Sequence, residues 1–102
     1  MYQEVTSVIK HIVLWKINPE LDKKAVLAEF SRRTEYLKTI IPEIKEARVA
    51  LSYAGEYELC IDSVFENDEE LQTYINNPEH LKTRAWLNTV TCAKTSFDYV
   101  IE

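Results

Sequence analysis

The stretch YINNPEHL, residues 74–81, places a tyrosine, a proline and a histidine within seven residues. Imidazole takes and returns protons near neutral pH, and a phenol donates a hydrogen bond to an oxygen that gains charge. Asn77, Pro78, Glu79 and His80 read as the N-cap and first three positions of a restarted helix. His80 then sits in a first turn, where the positive end of the helix dipole disfavours imidazolium. A neutral imidazole is what a proton acceptor requires. Tyr74 ends the preceding helical segment, so the break at Pro78 is expected to turn its hydroxyl and His80 towards one cavity. His11 is the third polar group expected there, among the apolar side chains Val13, Phe30, Ile61 and Val90. Each has a plainer reading: Tyr74 as a core aromatic, His80 as a local hydrogen-bonding group, His11 as a satisfied core histidine.

Other chemistries find less support. Two histidines without an i,i+4 pair or clustered carboxylates make no convincing metal-ligand set, so no metal is expected. There is no Gly-rich phosphate loop, no G-x-S-x-G elbow and no cofactor signature. Cys60 and Cys92 are isolated and read as reduced, buried small hydrophobes. Trp15 and Trp86 read as packing residues.

The elements that must position these groups follow from patterning. VIKHIVLWKI (8–17) is a β-branched, aromatic-rich first strand ending at Asn18-Pro19. Asn18 is the expected cap of a first helix with Pro19 in its first turn. Val26, Phe30, Leu37 and Ile41 recur at helical spacing until Pro42 ends it. IKEARVALSY and YELCIDSVF read as two strands joined by a tight turn at Gly55. Asn67 and Glu70 resemble a capping box for a helix carrying Leu71, Tyr74 and Ile75. A second helical segment from Pro78 holds Leu81, Ala85, Leu87 and Val90, and KTSFDYVI closes the chain as a fourth strand. The order βαββαβ predicts an α+β, ferredoxin-like fold: a four-stranded antiparallel sheet with both helices on one face.

The first strand has two apolar sides. Ile9, His11, Val13, Trp15 and Ile17 share one, whereas Lys10, Ile12, Leu14 and Lys16 share the other. If the first set meets the helices, the second leaves a sheet face with Ile12, Leu14, Cys60, Val64 and Val100 uncovered. Lys10, Lys16, Asp62 and Asp98 are expected to supply opposite charges on it. A face this apolar points to self-association through the sheet.

The chain of 102 residues has the size of one domain, 1–102, and is 46% hydrophobic with a single glycine. A net charge of −5 without a basic stripe argues against nucleic acid and against a basic membrane-surface helix. No apolar run reaches the length of a membrane span, and MYQEVTS lacks the pattern of a signal peptide, so a cytoplasmic protein is expected.

In order and spacing, IKHIVLWKI, IIPEIK, VFENDEELQTYINNPEH and FDYVIE together resemble the stress-responsive α/β-barrel domain family, Dabb, over nearly the whole chain. The resemblance implies a protomer whose sheet packs against a second copy in a homodimeric α/β barrel. Members include plant stress-linked proteins and a plant polyketide cyclase that performs an aldol condensation without cofactor or metal. It implies catalytic roles for Tyr74 and His80, with His11 on the first-strand histidine and Phe30, Ile61 and Ile75 on pocket positions. Asn77 replaces the histidine common just before the family's proline, and the chain departs from the cyclase at Leu59, where a histidine stands, and at Thr34 and Thr91, pocket positions held by tyrosine and tryptophan.

Three readings of function remain open. One is a pocket between sheet and helices for a small apolar or aromatic acid, with cofactor-free cyclase-like or lyase-like chemistry. Another is a non-enzymatic stress or interaction protein with structural histidines. A cofactor-independent monooxygenase on a related barrel is a third, requiring a more polar cavity.

Overall fold

The computed structural model describes residues 7–101. The polar start read for a signal peptide, residues 1–6, and Glu102 lie outside the described residues. Four strands and three helices follow in the order β1 (Val8–Ile17), α1 (Lys23–Ile40), β2 (Ile44–Leu51), β3 (Leu59–Phe65), α2 (Asp68–Ile75), α3 (Pro78–Val90) and β4 (Thr91–Ile101). The sheet order is β2-β3-β1-β4, antiparallel at every pairing. This is the expected ferredoxin-like sheet, with the second helical region divided in two at Asn76-Asn77.

Local chemistry sets the boundaries. Helix α1 begins later than Asn18-Pro19 suggested. The Asn18 side chain instead accepts from the Glu20 amide at 3.0 Å, and its carbonyl accepts from Leu21 N at 3.0 Å, forming a turn. Asp22 caps the helix by accepting from Lys24 N at 3.1 Å. Both residues suit a cap, but the turn occupies Asn18 first. Ile41 ends the helix ahead of Pro42, as expected. The β2–β3 connection is wider than a tight turn: Ser52 N bonds Glu58 O at 2.8 Å, and Tyr53, Tyr57 and Glu58 fall outside the strands. Gly55 there adopts φ +127°, which L side chains rarely reach.

The β1 face predicted to meet the helices does so, with Val13, Trp15 and Ile17 buried. The core divides into two clusters. Val13, Trp15, Ile17, Val26, Phe30, Leu59, Ile61 and Leu87 form one. Leu37, Ile41, Phe65, Leu71 and Tyr74 form the other.

The outer face differs from expectation in β4. Phe97 pairs with Ile12 and Tyr99 with Lys10, so Phe97, Tyr99 and Ile101 share the outer face with Ile12 and Leu14. Asp98 pairs with His11 and Val100 with Ile9, which puts both on the helix side. The register of β4 decides this, and a segment mixed on both sides does not announce its register. Phe97 and Tyr99 are exposed, with ring centroids 5.8 Å apart, so the uncovered face is more aromatic than the sequence suggested. Lys10 and Asp62 pair at 2.9 Å within the protomer. Both cysteines are free, but Cys92 is exposed rather than buried, beside the irregularity where β4 joins Ile17. No helix is long and apolar enough to cross a membrane among the described residues.

Candidate functional site

A cavity of about 230 Å³ opens where the two core clusters meet, lined by residues from both. Strand β1 contributes His11, Val13 and Trp15, β3 contributes Ile61, and α1 contributes Phe30, Thr34 and Leu37. Helix α2 brings Tyr74 and Ile75, α3 brings His80, Thr83, Arg84 and Leu87, and β4 brings Lys94 and Ser96. Of the residues anticipated from sequence, His11, Val13, Phe30, Thr34, Ile61, Ile75, Tyr74 and His80 therefore meet at one cavity. Val90 does not line it. The last turn of α3 carries it onto the Trp15–Phe30 cluster instead, where its carbonyl accepts from Asn18 N at 2.9 Å.

The helix break is built as its sequence implies. Asn77 accepts from Glu79 N at 2.8 Å, and Pro78 opens α3. Asn67 likewise caps α2, accepting from Glu70 N at 2.9 Å. With α2 stopped at Ile75, its terminal carbonyl is free, and His80 Nδ1 donates to it at 3.0 Å. That bond fixes the tautomer: Nδ1 carries the hydrogen, and Nε2 keeps its lone pair. The His80 pKa is lowered chiefly by burial, with Arg84, His11 and Lys94 adding repulsion against the bond to Ile75, which raises it. Its neutrality thus owes more to the tertiary environment than to the helix dipole invoked from sequence.

Tyr74 is buried, and its ring packs 4.9 Å from Phe65 and 4.2 Å from the His80 imidazole, centroid to centroid. Burial pushes its phenol well above the ordinary range, so it stays a neutral donor. His11 Nδ1 lies 2.7 Å from Asp98 Oδ1. A carboxylate only accepts here, so the bond assigns the hydrogen to His11 Nδ1 and turns the ring's other nitrogen away from Asp98. Asp98, placed by sequence on the opposite face, is therefore a partner of the site.

The apolar wall is aromatic: Trp15 and Phe30 meet edge to face with centroids 5.4 Å apart. Trp15 accordingly belongs to the cavity as well as to the packing. Thr34 is buried, and its hydroxyl has no partner among the described residues. Thr83, Arg84, Lys94 and Ser96 give the lining a polar side that the sequence reading missed. Their i,i+3 and i,i+4 spacing from His80 and Leu87, and the alternation of Lys94 and Ser96 with Asp98, were the available signals. No group of three His, Cys, Asp or Glu arranged to hold a metal ion occurs among the described residues.

Residues 9–101 match the family described as Stress Responsive A/B Barrel Domain, or Dabb. The chain belongs to the Dabb family. No curated protein matches its sequence. Among solved structures, this Dabb chain is similar to a dimeric ferredoxin-like protein of unknown function from Bacteroides fragilis, with 25% identity, a TM-score of 0.82 and coverage of 92% of this chain and 96% of that one. It is similar to a hydroxynitrile lyase from Passiflora edulis, with 16% identity, a TM-score of 0.83 and coverage of 96% of each chain. A Dabb-family protein with a ferredoxin-like fold from Mesorhizobium loti aligns with 15% identity and a TM-score of 0.71, covering 94% of this chain and 98% of that one. The match over residues 9–101 bears out the family, these likenesses bear out the fold, and several of the similar structures are described as dimeric ferredoxin-like proteins.

Proposed function

We propose that this Dabb protein is a homodimer, closed through its outer sheet face, whose protomers each bind a small apolar or aromatic acid in the cavity and act on it by cofactor-free acid/base chemistry. The observation that carries the reading is the His80–Tyr74 pair. One group has a free basic nitrogen held by its bond to Ile75, the other is a neutral hydroxyl donor, and both border the same cavity. An open cavity with polar groups on an aromatic wall favours binding over purely structural histidines. An engineered cavity of roughly 150 Å³ already holds benzene, so 230 Å³ suits one aromatic ring with short substituents.

In the proposed step His80 Nε2 takes a proton from a carbon next to a ligand carbonyl. The C–H electron pair passes into an enolate, whose oxygen accepts a hydrogen bond from Tyr74. The enolate carbon attacks a second carbonyl of the same ligand, and the alkoxide formed takes the proton back from imidazolium. Asp98 holds the His11 ring in place beside this path. The hydroxynitrile lyase of the same fold supports lyase chemistry as a second use of such a pair.

A thermal-shift screen of small aromatic acids, repeated on His80→Ala and Tyr74→Phe, tests the reading. A ligand should raise the unfolding temperature of all three proteins, with turnover lost in the variants. A ligand whose binding and turnover ignore both changes would rule out these roles.

A further inference from the structure

Arg84 on α3 and Lys94 on β4 border the cavity from its exposed side, opposite in character to the buried wall of Trp15, Phe30 and Ile61. Among the twelve basic side chains only Lys24 and Arg48 share their lack of an ion-pair partner among the described residues. With 17 acidic residues against 12 basic ones, carboxylates are abundant. Eight of the basic side chains lie within ion-pair distance of one: Lys10, Lys16, Lys23, Arg32, Arg33, Lys38, Lys45 and Lys82. Arg84 and Lys94 have none within 4 Å among the described residues, although they are neighbours of one another at a partly desolvated opening. Burial, with Arg84 beside it, draws the Lys94 ammonium below its usual range. Two like charges at one mouth, in a protein of net charge −5, cost stability that a bound anion would repay.

We infer that Arg84 and Lys94 are the specificity-determining pair of the cavity: they receive the carboxylate of a small acid at the mouth and direct its apolar body onto the Trp15–Phe30 wall. This rests on the cavity being a binding site, and it adds the orientation of the ligand and the basis for choosing an acid over its neutral analogue. The pair converts an acidic protein surface, which repels anions, into a local positive opening. With the carboxylate held there, the rest of the ligand reaches inward past His80 and Tyr74. The guanidinium can take a carboxylate through two parallel N–H donors, and the ammonium adds a point charge.

The test uses the full chain with benzoate and its near-isosteric neutral counterpart benzamide, titrated by calorimetry and by amide chemical-shift changes. Benzoate is expected to bind about tenfold more tightly than benzamide, a modest factor because both cations are partly solvated. The double variant Arg84→Gln/Lys94→Gln should erase that preference, chiefly by weakening benzoate, and Arg84→Lys/Lys94→Arg should retain most of it. Both positions are exposed, so the variants should fold, which the thermal midpoint checks. Equal binding of the two probes to the unmodified protein, or a benzoate preference that survives in the double Gln variant, overturns the inference while the cavity reading stands. Failure of both probes to bind contradicts the inference and the cavity reading together.

Discussion

Replacing Phe97 by alanine should weaken the homodimer by roughly two orders of magnitude. Phe97 lies on the edge strand β4 of the uncovered sheet face, level with Ile12 and beside Tyr99, and is 65% exposed in the protomer. A phenylalanine of about 200 Å² then offers roughly 130 Å² to a partner, worth about 3 kcal/mol at ~25 cal/mol per Å². Alanine retains part of that contact and coverage is never complete, so about half is the sounder figure. A face that packs on its own copy carries each residue twice, giving about 3 kcal/mol per dimer, or about a hundredfold in Kd. Sedimentation velocity or light scattering across a dilution series reads this directly, with Phe97→Asp expected to be monomeric at micromolar concentration. Tyr36→Ala is the control, because Tyr36 is comparably exposed but lies on α1, in the opposite layer. If both Phe97 variants dissociate no more readily than the Tyr36 variant, the partner does not cover the sheet and the reasoning from its aromatic face is wrong.

The lowered His80 pKa makes stability depend on acid. The unfolded histidine titrates near 6.5 and the folded one below that, so the unfolded chain binds the extra proton between the two values. Stability should be fully present above about 6.5 and fall as pH drops towards the folded pKa, by at most about 1.4 kcal/mol per pH unit; urea titrations should show this part of the slope missing in His80→Gln. Asn77→Ala should cost about 1 kcal/mol through loss of the cap on α3, and the ¹⁵N shifts of His80 should lose the signature of a fixed Nδ1–H tautomer. Thr34→Val should raise stability by about 1 kcal/mol, because it removes a buried hydroxyl that has no partner among the described residues; a lower midpoint in urea would show that the hydroxyl is satisfied.

Much of the scaffold was legible because it rests on local chemistry. The alternation in β1, the Asn67 cap and the Asn77-Pro78 restart each specify their element within a few residues, and the restart alone placed His80 on its turn. What failed to show depends on partners distant in sequence. Asn18 and Asp22 are both acceptable caps, and only the turn that engages Asn18 leaves the start of α1 to Asp22. Asp98 and Val100 lie on the helix side rather than the outer face because TSFDYVI has no clean alternation and pairing with β1 fixes its register. Arg84 and Lys94 look like ordinary surface cations until α3 and β4 bring them to one opening. The neutrality of His80 was anticipated, but burial is its leading cause, a property of packing rather than of position in a helix.

The central claim is that His80 and Tyr74 move a proton at a carbon beside a carbonyl, and solvent exchange measures that step without a known product. The probe is 4-oxo-4-phenylbutanoate, which joins an aromatic ring, a ketone with adjacent C–H bonds and a carboxylate. Incubated in D₂O with the protein and followed by proton NMR, it should lose the signal of the hydrogens next to its ketone faster than in buffer. His80→Ala should abolish the acceleration and Tyr74→Phe should reduce it at least tenfold. Exchange no faster than in buffer, or equal in the unmodified protein and both variants, would contradict the account.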